Sequence, residues 1–211
     1  VYRRAKNLSD TVAFGTQLEV NHRKYEGIKH SIYAKSPSEE LPRVWVGGEQ
    51  CTQPYHASLF NISAMSFGAL SDRAQISLNR GAKKGNFYQN TGEGGLTDYH
   101  LEGGGDITWQ IGTGYFGCRD AEGNFSPEKF SEKANLPNVK MIEIKLSQGA
   151  KPGHGGVLPA AKNTVQIAKI RGVVPHTMIL SPPGHTSFSD TKGLIRFIKQ
   201  LRELSNGKPI G

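Results

Sequence analysis

The segment Val139-Lys140-Met141-Ile142-Glu143-Ile144-Lys145-Leu146 is the clearest strand in the chain, and a glycine-rich loop follows it, Gln148-Gly149-Ala150-Lys151-Pro152-Gly153-His154-Gly155-Gly156. A short run this rich in apolar residues is typical of a buried strand. Beyond the loop, Ala161, Val165 and Ala168 recur at helical spacing. A strand, a loop and a helix in this order form the repeating unit of a parallel sheet.

The same rhythm recurs on both sides of this segment. Strands are predicted near residues 60–66, 87–90, 108–112, 140–146 and 177–180, and helices near 71–84, 126–136, 158–171 and 190–204. Weaker signals for strands lie at residues 16–20, at 43–46 and from Lys208 onward. This alternation predicts an α/β fold with right-handed crossovers, either an open doubly wound sheet or a (β/α)8 TIM barrel.

The length of the chain bears on the choice between these architectures. A complete barrel takes about 250 residues, and this chain has 211 residues and ends while entering a strand. We expect the chain to hold the N-terminal portion of a barrel. Half a barrel leaves two unpaired sheet edges, so the natural protein should continue. Residues 1–56 are then a lead-in that covers one end of the barrel, and residues 57–211 form its first half.

Composition excludes several classes of protein. The net charge of +8 comes from scattered Lys and Arg residues without interleaved aromatics, so nucleic-acid binding is not expected. No apolar run is long enough to cross a membrane. Cys51 and Cys118 lack the spacing of a metal site, which indicates two reduced thiols in a cytoplasmic protein with no metal ligands in this chain.

Three glycine-rich segments follow predicted strands, where α/β folds bind their ligands. They contain Ser66-Phe67-Gly68, Gly92-Glu93-Gly94-Gly95 and Gln148-Gly149-Ala150-Lys151. None is a Walker loop, and none is a clean dinucleotide fingerprint. The polar candidates in or near these loops each also have an ordinary structural reading as a solvated or turn residue: Glu93, Lys151, His154, Arg171 and His185.

Four segments resemble the synthase domain of the glutamate synthase family, in the order that the family shows. They are Ile62-Ser63-Ala64-Met65-Ser66-Phe67-Gly68, Asn90-Thr91-Gly92-Glu93-Gly94-Gly95, Gln148-Gly149-Ala150-Lys151-Pro152-Gly153 and Leu180-Ser181-Pro182-Pro183. The resemblance covers about three quarters of the chain, from residue 54 to the end. The lead-in, with Gly47-Gly48-Glu49-Gln50-Cys51, resembles stand-alone members that lack the amidotransferase domain.

The resemblance implies a (β/α)8 barrel that holds FMN and a 3Fe–4S cluster and reduces 2-iminoglutarate, formed from 2-oxoglutarate and ammonia, to glutamate. It implies an electron donor such as ferredoxin or an NAD(P)H-linked subunit. Glu93 and Lys151 would be catalytic. The residues near FMN would be Ala64, Met65, Ser66, Asn90 and Gln148, and those near the 2-oxoglutarate carboxylates Glu93, Gln148, Lys151 and Arg171.

The sequence departs from the family at two positions of the third loop. Val157 stands where the family has a glutamine that helps to hold the oxo acid, and His154 stands where the family has an acid. The cluster cysteines of the family pattern fall beyond Gly211. The alternative to an FMN-dependent oxidoreductase is a non-catalytic barrel fragment or interaction module, and the visible absorbance of a flavin separates the two.

Overall fold

The computed structural model describes residues 27, 31–36, 39–148 and 154–211. The chain divides into two compact units, Val1–Glu39 and Glu40–Gly211. The predicted strand at residues 16–20 lies outside the described residues. The second unit carries the fold described below, and the division of the chain at residue 56 stays a prediction.

The second unit alternates strands and helices, as the sequence predicts for an α/β protein. Its strands are β1 (Arg43–Val46), β2 (Tyr55–Ser58), β3 (Tyr88–Asn90), β4 (Asp106–Ile111), β5 (Val139–Ile144), β6 (Val157–Leu158) and β7 (Ile179–Leu180). Its helices are α1 (Asp72–Gly85), α2 (Asp98–Leu101), α3 (Pro127–Ala134), α4 (Val165–Arg171) and α5 (Thr191–Leu204), with a 3-10 turn at Ala160–Lys162.

The principal sheet is parallel, and its strands follow one another in chain order. Strand β4 lies between β3 and β5, with Asn90 opposite Thr108 and Ile111 opposite Ile144. The sheet is extended at both sides by single parallel bridges, Ile62 to Gln89 and Ile142 to Ile210. The predicted strands near 87–90, 108–112 and 140–146 are therefore present, and the segment that begins at Lys208 joins the sheet beside β5.

Local sequence signals explain where the helices begin and end. The Ser71 hydroxyl accepts a hydrogen bond from the Ala74 amide at the start of α1, and Asn86 ends that helix in the left-handed conformation, with φ of 52°. Ser126 caps α3, where Pro127 occupies the first turn. Asp190 caps α5 by accepting from the Gly193 amide at 2.6 Å.

Two of the predicted strands are wrong in whole or in part. In the stretch 60–66 only Ile62 makes a strand bridge, while the preceding residues form β2, which pairs antiparallel with β1. The predicted strand at 177–180 is reduced to β7, which pairs antiparallel with β6 and stands outside the parallel sheet. Both stretches are apolar, but Phe60 and Leu180 are exposed, so apolar character alone does not identify sheet strands here.

The third predicted strand ends at Ile111, close to its expected end at residue 112, and the chain then turns through positive φ at Tyr115 and Gly117. One helix is shorter than expected. The helix expected over 158–171 contains only the 3-10 turn and the shorter α4, which Thr164 caps. The described residues form an open sheet, and no closed barrel is present among them.

The main hydrophobic core lies between one face of the sheet and helices α3 and α5. Trp109 of β4 stacks on Phe130 of α3, with ring centroids 5.4 Å apart, and Leu201 of α5 is fully buried beside them. The buried members of this core are Leu96, Ile107, Trp109, Ile111, Tyr115, Cys118, Phe130, Ala134, Val139, Ile142, Phe197 and Leu201.

The β1–β2 hairpin lies at the amino ends of the parallel strands. The Tyr55 hydroxyl donates to Asp106 Oδ2 at 2.8 Å, at the first residue of β4. Tyr55 and Ala57 also pack against Met141 on the other face of the sheet. The hairpin therefore covers the amino ends and leaves the carboxyl ends, at Asn90, Ile111 and Ile144, to the loops that carry the candidate residues.

Candidate functional site

Loops from neighbouring strands meet above the carboxyl ends of the sheet. Glu93 follows β3, Gly112 follows β4, and Lys145 and Gln148 follow β5. Because parallel strands end at one edge, these side chains come close together although they are far apart in the chain.

Glu93 is the centre of this group. Gln148 Nε2 donates to both of its carboxylate oxygens, at 3.0 and 2.8 Å, and Lys145 Nζ lies 3.1 Å from Glu93 Oε2. Lys145 Nζ also donates to Gln148 Oε1 at 3.0 Å. The side chains of Glu93 and Lys145 are 20% and 27% exposed, so the pair is screened from bulk water but can be reached. The structure thus brings Glu93 and Gln148 together, as the resemblance implies.

Lys145 is a site residue that the sequence reasoning missed. It lies directly after β5, and its amide continues the sheet by donating to Ile111 O at 2.8 Å. Its position was the available signal, since a cation that ends an apolar strand stands at the edge where ligands bind. In the sequence, Lys145 falls within the predicted strand near 140–146.

Two glycines allow Glu93 to occupy its place. A Cβ atom at Gly112 would lie 2.9 Å from the Glu93 Cβ, and one at Gly156 would clash with Glu93 Oε1. Side chains at either position would displace the carboxylate. These glycines therefore serve close packing around Glu93, which is one of the uses that the high glycine content indicates.

Arg171 lies beneath the same loops. Its side chain is 7% exposed, its Nη2 donates to Phe67 O at 3.3 Å, and its guanidinium lies 5.0 Å from the ring centroid of Phe116. Burial lowers the pKa of Arg171, and the charge of Glu93 opposes that shift. Since arginine stays protonated in proteins, Arg171 is a buried cation close to Glu93.

The segment Ala64-Met65-Ser66, which the resemblance places near FMN, packs against the loop that carries Glu93. The Ser66 hydroxyl accepts from the Gly94 amide at 3.2 Å, and a Cβ at Gly92 would lie 2.6 Å from the Ser66 nitrogen. Buried Gln75 of α1 donates to Met65 O at 2.8 Å and so fixes the turn. Ala64, the first residue of this segment, is exposed.

Asn90 belongs to a second polar cluster. This cluster lies on the inner face of the sheet, which is the face opposite the main hydrophobic core. Its Nδ2 donates to Glu143 Oε2 at 2.7 Å, and Gln110 Nε2 donates to Glu143 Oε1 at 2.8 Å. Asn90 Oδ1 accepts from the Gly92 amide at 2.9 Å. The sequence reasoning missed Gln110 and Glu143, because polar residues that alternate with apolar ones on a strand look like an ordinary solvated face.

The inner face holds buried polar atoms that have no hydrogen-bond partner within the described part of the chain. Among the described residues, Gln110 Oε1 and Thr108 Oγ1 are buried and lack a hydrogen-bond partner. Gln110 Oε1 is an acceptor beside Asn90 and Glu143, so it fits a ligand that presents an N–H donor, as the pyrimidine edge of a flavin does.

The third loop is only partly described. Lys151, predicted as catalytic and substrate-binding, lies outside the described residues with the rest of 149–153. Gly156 is described and touches Glu93. Val157 is 52% exposed and lies opposite Leu180 in the β6–β7 pair.

Comparison with known proteins identifies relatives of this chain. A family model described as the conserved region in glutamate synthase matches residues 16–211. The chain belongs to the glutamate synthase family. It is 42% identical over 168 residues to the glutamate synthase large subunit-like protein YerD of Bacillus subtilis, covering 79% of this chain and 32% of that protein.

More distant relatives carry glutamate synthase names of two types. The ferredoxin-dependent glutamate synthase of Cyanidium caldarium is 31% identical over 89% of this chain and 13% of its own length. The archaeal glutamate synthase [NADPH] of Methanocaldococcus jannaschii is 33% identical over 70% of this chain and 26% of its own. The chain thus spans about a third or less of the relatives it matches.

Several findings bear on the classes considered from composition. No helix among the described residues is long and apolar enough to cross a membrane. Within the same residues, no group of three or more His, Cys, Asp or Glu side chains is arranged to hold a metal ion. Cys51 and Cys118 are free thiols, and burial in the core raises the pKa of Cys118 to about 12.

Proposed function

We propose that the protein is an FMN-dependent oxidoreductase of the glutamate synthase type, which reduces an imino acid to an amino acid at the carboxyl edge of a (β/α)8 barrel. The observation that carries the proposal is the contact of Glu93 with Lys145 and Gln148 at the ends of two parallel strands. Catalytic groups in barrel enzymes come from the ends of several different strands.

The order of the strands supports the barrel over a doubly wound sheet. Ile62, β3, β4 and β5 pair in parallel in chain order, and the segment at Ile210 is added beside β5, with the antiparallel β6–β7 pair outside this sheet. A doubly wound sheet reverses direction at a switch point, whereas a barrel adds strands in one direction until it closes. No reversal occurs along the described part of the sheet.

The candidate FMN residues are Ala64, Met65, Ser66 and Asn90, with Gln148 at the border of the substrate site. Ala64 is small and exposed, and Gln110 adds a buried acceptor that has no partner among the described residues. When bound, the flavin supplies hydride transfer to the carbon of the imino group. The protein supplies binding, orientation and the proton.

The cations near Glu93 suit a carboxylate substrate such as 2-oxoglutarate or its imine. Lys145 and Arg171 provide two positive charges, and the resemblance adds Lys151. Reduction of an imine also consumes a proton at nitrogen, and Lys145 carries one at 3.1 Å from Glu93. We propose that this pair orients the substrate and delivers that proton.

The family's 3Fe–4S cluster does not fit the cysteines of this chain. Cys118 is fully buried in the hydrophobic core, and Cys51 lies beside Gly47 in the loop that joins β1 to β2. The electron donor is proposed to be ferredoxin or an NAD(P)H-linked subunit, in keeping with the names of the relatives.

The test uses the full natural protein, purified and scanned for the visible absorbance bands of oxidised flavin. Binding of 2-oxoglutarate is then measured by calorimetry for Lys145→Met and for Lys140→Met, a matched variant at the amino end of the same strand. Loss of a charge-assisted hydrogen bond costs about 1.5–3 kcal/mol, so Lys145→Met should weaken binding about 10- to 150-fold. Lys140→Met should leave it unchanged. A colourless protein, or equal effects of the two variants, contradicts the proposal.

Val157 offers a separate test of the substrate. If 2-oxoglutarate is the substrate, restoring the family residue with Val157→Gln should raise turnover in the full protein, because the amide adds a donor to the oxo acid. Val157→Met, of similar length without the amide, is the matched control. Absence of dicarboxylate binding in every form would leave a flavoprotein that acts on another substrate.

A further inference from the structure

Behind Lys145 lies a buried hydrogen-bonded network that none of the proposed site roles uses. His185, which is 9% exposed, places Nε2 at 2.9 Å from Lys145 O and Nδ1 at 3.0 Å from the Tyr115 hydroxyl. The Ser187 amide donates to the same hydroxyl at 3.2 Å. The network joins the turn after β4, the end of β5 and the segment that leads to α5.

Only one arrangement of protons satisfies all of these contacts with a neutral imidazole. A carbonyl oxygen can only accept, so the hydrogen of His185 is on Nε2 and points at Lys145 O. Nδ1 is then an acceptor and takes the proton of the Tyr115 hydroxyl, whose oxygen accepts from the Ser187 amide. Burial lowers the pKa of His185, which favours this neutral form.

The aromatic groups around His185 hold its ring in place. The imidazole stacks on Phe188, with centroids 4.9 Å apart and planes 18° from parallel, and meets the Tyr115 ring edge-on at 5.3 Å. Tyr115 is fully buried and adopts φ of 48°, a conformation that non-glycine residues rarely take. Surrounding contacts must over-determine such a conformation, which is common near functional sites.

The His185 network hydrogen-bonds to the carbonyl of Lys145, and the sheet hydrogen-bonds to its amide. The Lys145 amide donates to Ile111 O at 2.8 Å, and its carbonyl accepts from His185. Both ends of the residue are therefore fixed immediately below the Nζ contacts with Glu93 and Gln148. Strand pairing alone would leave the carbonyl without a partner at the point where the chain leaves the sheet.

We propose that His185, oriented by Tyr115, is a positioning residue that fixes the Lys145 end of β5, so that Lys145 meets Glu93 and the carboxylate substrate in one geometry. The inference rests on the proposed function for its substrate, but the contact itself exists without a ligand. His185 does not touch Glu93, so its effect passes through Lys145.

The experiment compares His185 variants in the full natural protein. His185→Phe keeps the stacked ring and loses the donor, whereas His185→Gln retains an N–H donor that can reach Lys145 O. Tyr115→Phe removes only the hydroxyl, and Ser187→Ala, which leaves the backbone donor intact, is the control. The readouts are 2-oxoglutarate affinity, the amide NMR signal of Leu146, which reports the Lys145 carbonyl, and the tautomer of His185 from its ¹⁵N shifts.

We expect His185→Phe to weaken 2-oxoglutarate binding about tenfold and to shift the Leu146 signal, because one hydrogen bond is lost. His185→Gln should restore most of both, and Tyr115→Phe, which removes the partner of Nδ1 but leaves the Nε2–H bond to Lys145 O, should keep the Nε2–H tautomer and have a smaller effect on affinity than His185→Phe. Equal affinity and an unmoved Leu146 signal in His185→Phe overturn the inference. If the wild-type protein does not bind 2-oxoglutarate, the proposed substrate fails, and the NMR readouts still decide whether His185 positions Lys145.

Discussion

The two faces of β4 differ sharply in what surrounds them. Ile107, Trp109 and Ile111 point into the core shared with α3 and α5, where all three are essentially inaccessible. Thr108 and Gln110 point to the inner face, where Thr108 lines a cavity of about 510 Å³ and Gln110 bonds to Glu143. Strand alternation places these two environments one residue apart.

The outer face, which packs against α3 and α5, stabilises the sheet, whereas the inner face carries the polar groups that a ligand can contact. The outer face is packed by aromatic and aliphatic side chains, which supply the hydrophobic stabilisation. On the inner face, polar side chains hydrogen-bond to one another, and some buried polar atoms have no hydrogen-bond partner among the described residues. Substitutions on the two faces should therefore differ in size, and the following predictions test that from the largest effect to the smallest.

Trp109→Ala should produce the largest loss of stability. The side chain is fully buried and stacks on Phe130, and removal of such an aromatic costs about 3–5 kcal/mol from transfer and cavity formation. Denaturant unfolding of wild type and variant measures the difference. A loss below 1 kcal/mol would mean that the outer face is not the main source of stability.

His100 should make the protein sensitive to acid. It is fully buried, and burial lowers its pKa from 6.5 to about 4, so the folded state binds fewer protons than the unfolded state between these values. Stability should therefore fall as the pH drops through this window, by up to about 3 kcal/mol.

Unfolding free energies measured from pH 7 to pH 4 check this expectation. In His100→Gln the contribution of the imidazole is absent, and its pH dependence should be correspondingly flatter. An equal slope in both proteins would assign the acid sensitivity to other groups.

Glu143→Ala should have an intermediate effect on the inner face. The substitution removes the acceptor for the Asn90 and Gln110 amides, and an unpaired buried polar group costs about 1–3 kcal/mol. Glu143→Gln retains one acceptor oxygen and should cost less. Thermal unfolding of the two variants side by side distinguishes loss of hydrogen bonding from loss of charge.

Thr108→Val should have the smallest effect. The Thr108 hydroxyl is buried and without a partner among the described residues, so replacing it with a methyl group removes a desolvation cost and creates no cavity. We expect a change within about 0.5 kcal/mol, neutral or stabilising. A loss as large as that of Trp109→Ala would abolish the distinction between the faces.

The sequence was most informative where local pattern and capping agree. The strands at Tyr88–Asn90 and Val139–Ile144 could be placed closely because short runs rich in apolar residues mark them, and the helix at Thr191–Leu204 because helical periodicity and the cap residue Asp190 mark it. It was least informative where partners are distant. The pairing of β2 with β1, and of β7 with β6, depends on contacts that no local window contains.

The candidate site shows the same limit. Glu93 and Gln148 could be named from the sequence because they stand in glycine-rich loops, and the structure brings them into contact. Lys145 was missed because its contact with Glu93 arises only where β3 and β5 end at the same edge of the sheet. His185 had been noted, but its link to Tyr115 and Lys145 spans segments 70 and 40 residues apart.

The chain-order pairing of the strands has a consequence for biosynthesis. Within the parallel sheet, each new strand hydrogen-bonds to the preceding strand of that sheet, up to Gly211, whose amide donates to Ile142 O at 2.9 Å. A nascent chain leaving the ribosome can therefore dock one strand–helix unit at a time onto a sheet that is already in place, without waiting for distant sequence. The most recent strand is at every stage the exposed edge, so the growing end of the sheet is the surface that chaperones would need to protect.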